Sequence, residues 1–170
     1  ELRREGWRSV RLDPQGHTVL LPAGVGIDLG GIAKGWLADY VADTLAAHGP
    51  ALVDMGGDIA ARGAPGGQPG WAVGIADPLH PDRDLVLLAL RDQGIATSGR
   101  DYRVWQMDGR PHHHLIDPRT GRPSLTDVLS ASVVAPTTAA AEVTAKAALL
   151  QSFEPGLQWL EAQRAQGLLV

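Results

Sequence analysis

The period of apolar and polar positions changes repeatedly along this chain, and each change marks an element. Leu12 to Leu21 (LDPQGHTVLL) sets Asp13, Pro14, Gln15 and Gly16 between apolar runs, which predicts a β-hairpin. GVGIDLGG, residues 24–31, reads as a short strand ending in glycines. IAKGWLADYVADTLAAHG reads as a helix, with Ile32, Trp36, Tyr40, Val41 and Leu45 as its apolar face and Gly49 as its stop. ALVDMGGDIAARG returns as a strand through a double glycine. GWAVGIADP and DLVLLALRDQGIATSG are further strands, and YRVWQMDGRPHHHLIDP predicts a hairpin turning at Asp108-Gly109. LSASVVAP is a strand. Thr138 to Leu150 and Glu154 to Gln166 are helices, the second with Pro155 in its first turn. The closing GLLV reads as the start of a strand. Many strands with about three helices predict an α+β domain with a largely antiparallel sheet.

Composition narrows the classes. The chain has 170 residues, enough for one domain with a real core. It carries 15 basic and 19 acidic residues, net −4, which gives no basis for binding nucleic acid. No window approaches the roughly 20 apolar residues of a membrane span. With no cysteine, thiolate metal sites and cysteine nucleophiles are excluded. The first residue is Glu1, not Met, so a processed or excised chain is the expectation.

The chemistry concentrates in loops. HHLIDPRTG, His113 to Gly121, packs imidazole, carboxylate, hydroxyl and turn residues into nine positions, and Asp-Pro with Thr-Gly makes it a polar loop. Strand alternation puts His112 and His114 on one face and His113 on the other, which disfavours a triple-His metal cluster. His114, next to the turn, is the candidate base or orienting donor. Asp117 reads first as a turn-holding residue. Thr97, Ser98 and Gly99 either cap a turn or offer hydroxyls and amides to a phosphate. IDLGGIA (27–33) and VDMGGDIA (53–60) echo each other: strand, acid, double glycine. Such pairs serve as tight turns or expose backbone N–H groups to a bulky ligand. Lys34, in the first helical turn where the dipole disfavours a cation, fits anion binding. Asp39 is ambiguous between a ligand contact and a solvated helix residue.

Taken in order, DLGGIAKGWLAD, VDMGGDIAARG, IATSGRDYR, HHLIDPRTG and SASVVAP with its Ala-rich helix resemble the ApbE family of FAD:protein FMN transferases. The resemblance runs from about Gly24 to Leu150. It implies a T-fold-like α+β architecture in one domain, residues 1–170, lacking the family's N-terminal portion. It implies that FAD is split at its pyrophosphate and FMN is esterified to a Thr or Ser hydroxyl of an acceptor protein, with release of AMP. Three alternatives stay open: a nucleotide-binding member without transferase activity, a FAD pyrophosphatase yielding FMN and AMP, and a non-enzymatic scaffold whose loops only hold turns. On this resemblance His114 is the base. Gly30, Gly31, Lys34, Asp39, Gly56, Gly57, Asp58, Thr97, Ser98, Gly99, Asp117 and Thr120 surround the nucleotide. The Ala33 carbonyl and the carboxylate at Glu142 would hold Mg²⁺. An extracytoplasmic, membrane-associated location follows by family analogy.

The chain departs from the family in two places. The helix after SASVVAP usually carries an Asp and, four residues on, a Thr or Asp that coordinate the cation; here they are Glu142 and Lys146. Positions i and i+4 share a helix face, and a charged lysine has no lone pair to give. The expectation is a lysine paired to Glu142 in the cation's place; the alternative is an ordinary surface pair. The resemblance implies a longer N-terminus carrying part of the flavin pocket, and the expectation is that this portion is lacking. An open pocket with poor flavin affinity is therefore expected, with Trp7 and Trp36 as candidates for stacking on the flavin ring.

Overall fold

A computed structural model of the chain describes residues 6–100, 104–107 and 109–170. Along the sequence lie β1 (Arg11–Asp13), β2 (Thr18–Leu20), α1 (Ala33–Ala46), β3 (Ala51–Asp54), β4 (Ile59–Arg62), β5 (Trp71–Ala76) and β6 (Asp84–Leu90). They are followed by β7 (Gln93–Gly99), β8 (Val104–Met107), β9 (Arg110–His113), β10 (Ile116–Asp117), β11 (Arg122–Pro123), β12 (Ser130–Ala135), α2 (Thr138–Leu149), α3 (Phe153–Ala162) and β13 (Gln166–Leu169). This is the expected α+β architecture. Its centre is an antiparallel sheet in the order β13-β12-β7-β4-β3.

Alternation on those strands divides the core. Val53, Ala60, Ala131, Val133 and Leu169 face the helices, which cover one side of the sheet. Ala61, Ile95, Val134 and Leu168 face the other way and pack with Val73, Ile75 and Leu90 of the β5–β6 hairpin. The structure is thus helices, sheet and hairpin in three layers.

The predicted hairpins at 12–21 and around Gly109 form, the second with Gly109 at φ +69°; Asp108 lies outside the described residues. The run 84–99 is two strands, because Asp92 at φ +53° turns the chain from the outer hairpin into the central sheet. Two expectations need correction. No strand forms over 24–31: Asp28 accepts the Gly30 N–H at 2.7 Å, and the Leu29 carbonyl takes Ile32 and Ala33 into the helical turn. Of the apolar face assigned to α1 only Val41 packs on the core. Ile32, Trp36, Tyr40 and Leu45 are exposed, while Gly35, Ala38 and Ala42 are buried. Trp36 and Tyr40 stack on each other on the outer face, ring centroids 5.8 Å apart.

Small residues face inward because α1 approaches α2 closely. A Cβ on Gly35 would fall 2.7 Å from the Thr138 carbonyl oxygen. One turn later the Asp39 carboxylate accepts the N–H groups of Thr138 (2.9 Å) and Ala139 (3.0 Å), and Thr137 Oγ1 accepts that of Ala140 (3.1 Å). The open N–H groups of the first turn of α2 are therefore satisfied, two of them by a different helix. Arg62 completes the seat, donating to Asp39 (3.3 Å) and Asp43 (2.5 Å).

The turn from β10 to β11 is held by Asp117. Its Oδ1 accepts the Arg119 N–H (2.8 Å), its carbonyl accepts Gly121 N–H (2.7 Å), and the Arg119 guanidinium grips both carboxylate oxygens. The Arg119 guanidinium, then its N–H, holds the Asp117 carboxyl below its ordinary value of 3.8 against the opposing effect of burial.

Two predictions follow from this packing. Gly35→Ala gains roughly 1 kcal/mol of helix propensity but overpacks the helix contact by about 1–3 kcal/mol or more; a net loss of about 1–2 kcal/mol is expected in urea unfolding. Unchanged or raised stability would contradict the close approach. For Asp117, a depressed folded value means that its contribution is fully present above the unfolded value and is lost as pH falls through the lower folded one. Titration of its side-chain carbon by NMR should show a midpoint below 3.8, moving back up in Arg119→Ala. A midpoint at or above that value would refute the assignment.

Candidate active site

The site begins at the turn from β3 to β4. Gly56 and Gly57 both have positive φ, +74° and +93°, a pair of conformations that L side chains rarely adopt. Met55 N–H donates to the Asp58 carbonyl (2.9 Å) and Gly57 N–H to Asp54 Oδ1 (2.7 Å). This turn delivers Asp58 into the interior, where it is 1% exposed and accepts Lys34 Nζ from the first turn of α1. The lysine is half exposed, so one side of its ammonium neutralises a buried carboxylate while the remainder meets solvent. The diglycine turn and the start of α1 are thereby held together.

Beside that turn lies a cavity of about 300 Å³. Gly56 and Gly57 form one edge. Thr97 and Gly99 of β7 and Ser130 of β12 give a polar wall, and Val73 and Ile75 of β5 an apolar one. Thr97 Oγ1 shares a 2.7 Å hydrogen bond with Ser132 Oγ. Ser98 is buried, and alternation on β7 places it on the helix side of the sheet, away from the cavity. A cleft with one greasy and one hydrogen-bonding wall suits a ligand that is part aromatic and part phosphate or sugar.

The remaining candidates divide among three places. Gly30, Gly31 and Ala33 form the turn into α1. The Gly30 N–H is already given to Asp28, and Gly31 lies so close to Lys146 that a Cβ there would strike the ammonium. Asp39 caps α2. His114 is an exposed residue just beyond β9, on the chain leading to β10, with Asp117 and Thr120 in the following turn. Thr120 Oγ1 accepts the Arg122 N–H at 3.2 Å. The neighbouring histidines have separate duties. His112 stacks with Trp105, while His113 Nε2 donates to the Ser124 carbonyl (2.8 Å) and Nδ1 accepts the Leu115 N–H (3.3 Å). Trp7 is exposed beside Arg8, and Trp36 stacks on Tyr40; neither lines the cavity. The β5 wall and Ser130 are not among the candidate residues of the sequence, although the alternation in WAVGIA marks Val73 and Ile75 as facing one way together.

The pair on α2 differs from both readings of it. Glu142 is buried, and its Oε2 accepts the Gly35 N–H at 2.9 Å. It is not a surface residue, and among the described residues no ion pair joins it to Lys146, whose ammonium goes to Gly31 instead. Nor do the described residues contain a group of three or more His, Asp or Glu placed to hold a metal. A carboxylate committed to a backbone N–H and an ammonium at the adjoining turn do not fit a divalent cation.

Comparison with known proteins agrees with the motifs. The ApbE family matches residues 1–169. The FAD:protein FMN transferase of Treponema pallidum is 41% identical over 150 residues, covering 81% of this chain and 41% of that protein. That of Salmonella typhimurium is 35% identical over 164 residues, 91% of this chain and 43% of that protein. An ApbE protein from Thermotoga maritima superposes with a TM-score of 0.85 at 29% identity, over 97% of this chain and 55% of that one. The flavin transferase ApbE of Vibrio cholerae gives 0.79 at 30% identity. This chain thus spans less than half the length of these two curated relatives. With nearly every residue matched and the backbone shared, it belongs to the ApbE family.

Proposed function

We propose that this domain carries the FMN-transferring chemistry of its family: FAD is the donor, a Thr or Ser hydroxyl of a partner protein the acceptor, and AMP the leaving group. The observation that supports it most is the cleft in which the diglycine turn, Thr97, Gly99 and an apolar β5 wall meet, tied to the start of α1 through Lys34 and Asp58.

In this reading the acceptor oxygen attacks the flavin-side phosphorus. The bridging P–O bond breaks, AMP departs with the bridging oxygen, and His114 takes the hydroxyl proton. The exposed side of the Lys34 ammonium and the N–H groups of Gly31 and Gly56 offset charge on the phosphates, those of Gly30 and Gly57 being taken by Asp28 and Asp54. Transfer of this kind depends chiefly on positioning, which the hydrogen-bonded turn and the seated helix supply. Magnesium has no role in this scheme, because the residues at its family position do not suit it. The proposed setting is extracytoplasmic and membrane-associated, on family analogy alone; no helix among the described residues is long and apolar enough to cross a membrane.

Incubation of the protein with FAD and a Thr-containing acceptor, read by mass spectrometry, should yield acceptor carrying FMN in phosphoester linkage together with free AMP. FMN and AMP appearing equally without acceptor would identify a pyrophosphatase instead. A rise in melting temperature with FAD, but no product, would identify a binding protein. His114→Ala should slow transfer by about 10²–10⁴-fold while leaving FAD affinity within about twofold. Equal rates would remove His114 from the reaction.

A further inference from the structure

We propose that the Lys146 ammonium is a built-in cation of this site, so that the domain binds the diphosphate of FAD without a divalent metal. The inference rests on the flavin-transfer reading above and concerns which positive charge serves it.

Three observations lead there. Lys146, half-buried on α2, extends to Gly31 in the turn that opens α1, where its ammonium lies in the space a side chain at that position would take. Among the described residues no carboxylate stands within ion-pair distance of that ammonium. Glu142, one turn earlier on the same helix, is turned to the Gly35 N–H. A partly desolvated ammonium at the positive end of a helix, with no counter-ion in contact, is in an unfavourable setting. A diphosphate arriving there relieves it. Lys34, three residues after Gly31 on the chain, shares its charge with Asp58 and offers a phosphate only its exposed side, so Lys146 supplies the charge that no carboxylate offsets. Chemically, an ammonium does for a phosphate oxygen part of what a metal does. It offsets charge and donates hydrogen bonds, but it releases no water and needs no carboxylate cage. It also repels a divalent ion from the same spot.

Titration of the full chain with FAD, followed by flavin fluorescence, separates the possibilities. In the presence of EDTA the protein should bind FAD, and added Mg²⁺ should change the affinity by less than about twofold. Lys146→Met, which keeps the methylenes and removes the charge, should weaken binding in EDTA by about tenfold or more, about 1.4 kcal/mol. Its melting temperature without ligand reports whether it folds. The double change Glu142→Asp, Lys146→Thr should make FAD affinity rise with Mg²⁺ and should let Mg²⁺ alone raise the melting temperature, an effect expected to be missing in the parent chain. The proposal fails if FAD binds the parent only when Mg²⁺ is present, or if folded Lys146→Met binds FAD in EDTA as tightly as the parent; the transferase reading survives either result. An absence of FAD binding under every condition overturns both.

Discussion

The first two turns of α1 touch, within six residues, most of what the site needs. Lys34 reaches the buried Asp58 below the diglycine turn, the Gly35 N–H is given to Glu142, and Asp39 closes the N-terminus of α2. Each contact satisfies a charge or a backbone group that would otherwise be buried without a partner. Because the three are made by successive faces of one rigid helix, α1 cannot shift against one neighbour without disturbing the others. The cleft inherits its geometry from that constraint, since its glycine edge hangs from the same turn that places Asp58.

The close seat has a cost in side-chain choice. Gly35 stands mid-turn in a helix, where it weakens local propensity, because the helices approach within a distance that admits no Cβ. Gly94 does the same on β7, where the N-terminus of α2 crosses the sheet. With Gly35, Ala38 and Ala42 turned inward, most large apolar groups of α1 other than Val41 lie on the outer face, and Trp36 and Tyr40 shield each other there by stacking. Helix packing and the placement of aromatics are thus one decision.

Two walls of different chemistry line the cleft. Alternation on β7 sends Ile95, Thr97 and Gly99 to the cavity side and Ser98 to the helix side, so a strand buried on both faces still presents a hydroxyl where the sheet ends. The β5–β6 hairpin adds the apolar side while it closes the core beneath. Core-facing and cleft-facing side chains come from the same strands, one residue apart.

Much of this was legible in the residues themselves. Asp13-Pro14-Gln15-Gly16, Asp108-Gly109 and the Asp117 turn are short-range devices, so the hairpins, the extents of α1 and α2 and the ordered motifs of the family could be read directly, whereas the helix read over Glu154 to Gln166 ends at Ala162 and Gln166 opens β13. Which face of α1 is buried could not, because a pattern of apolar residues records hydrophobicity and not how near a neighbouring backbone will come. Nor could the duties of Asp39, Glu142 and Lys146: their partners lie 99 to 107 residues away for the first two, and across α1 and α2 for the third. Local hydrogen bonding and periodicity belong to the sequence alone. Which buried charge meets which backbone group is decided only when distant segments pack and the solvent between them is gone.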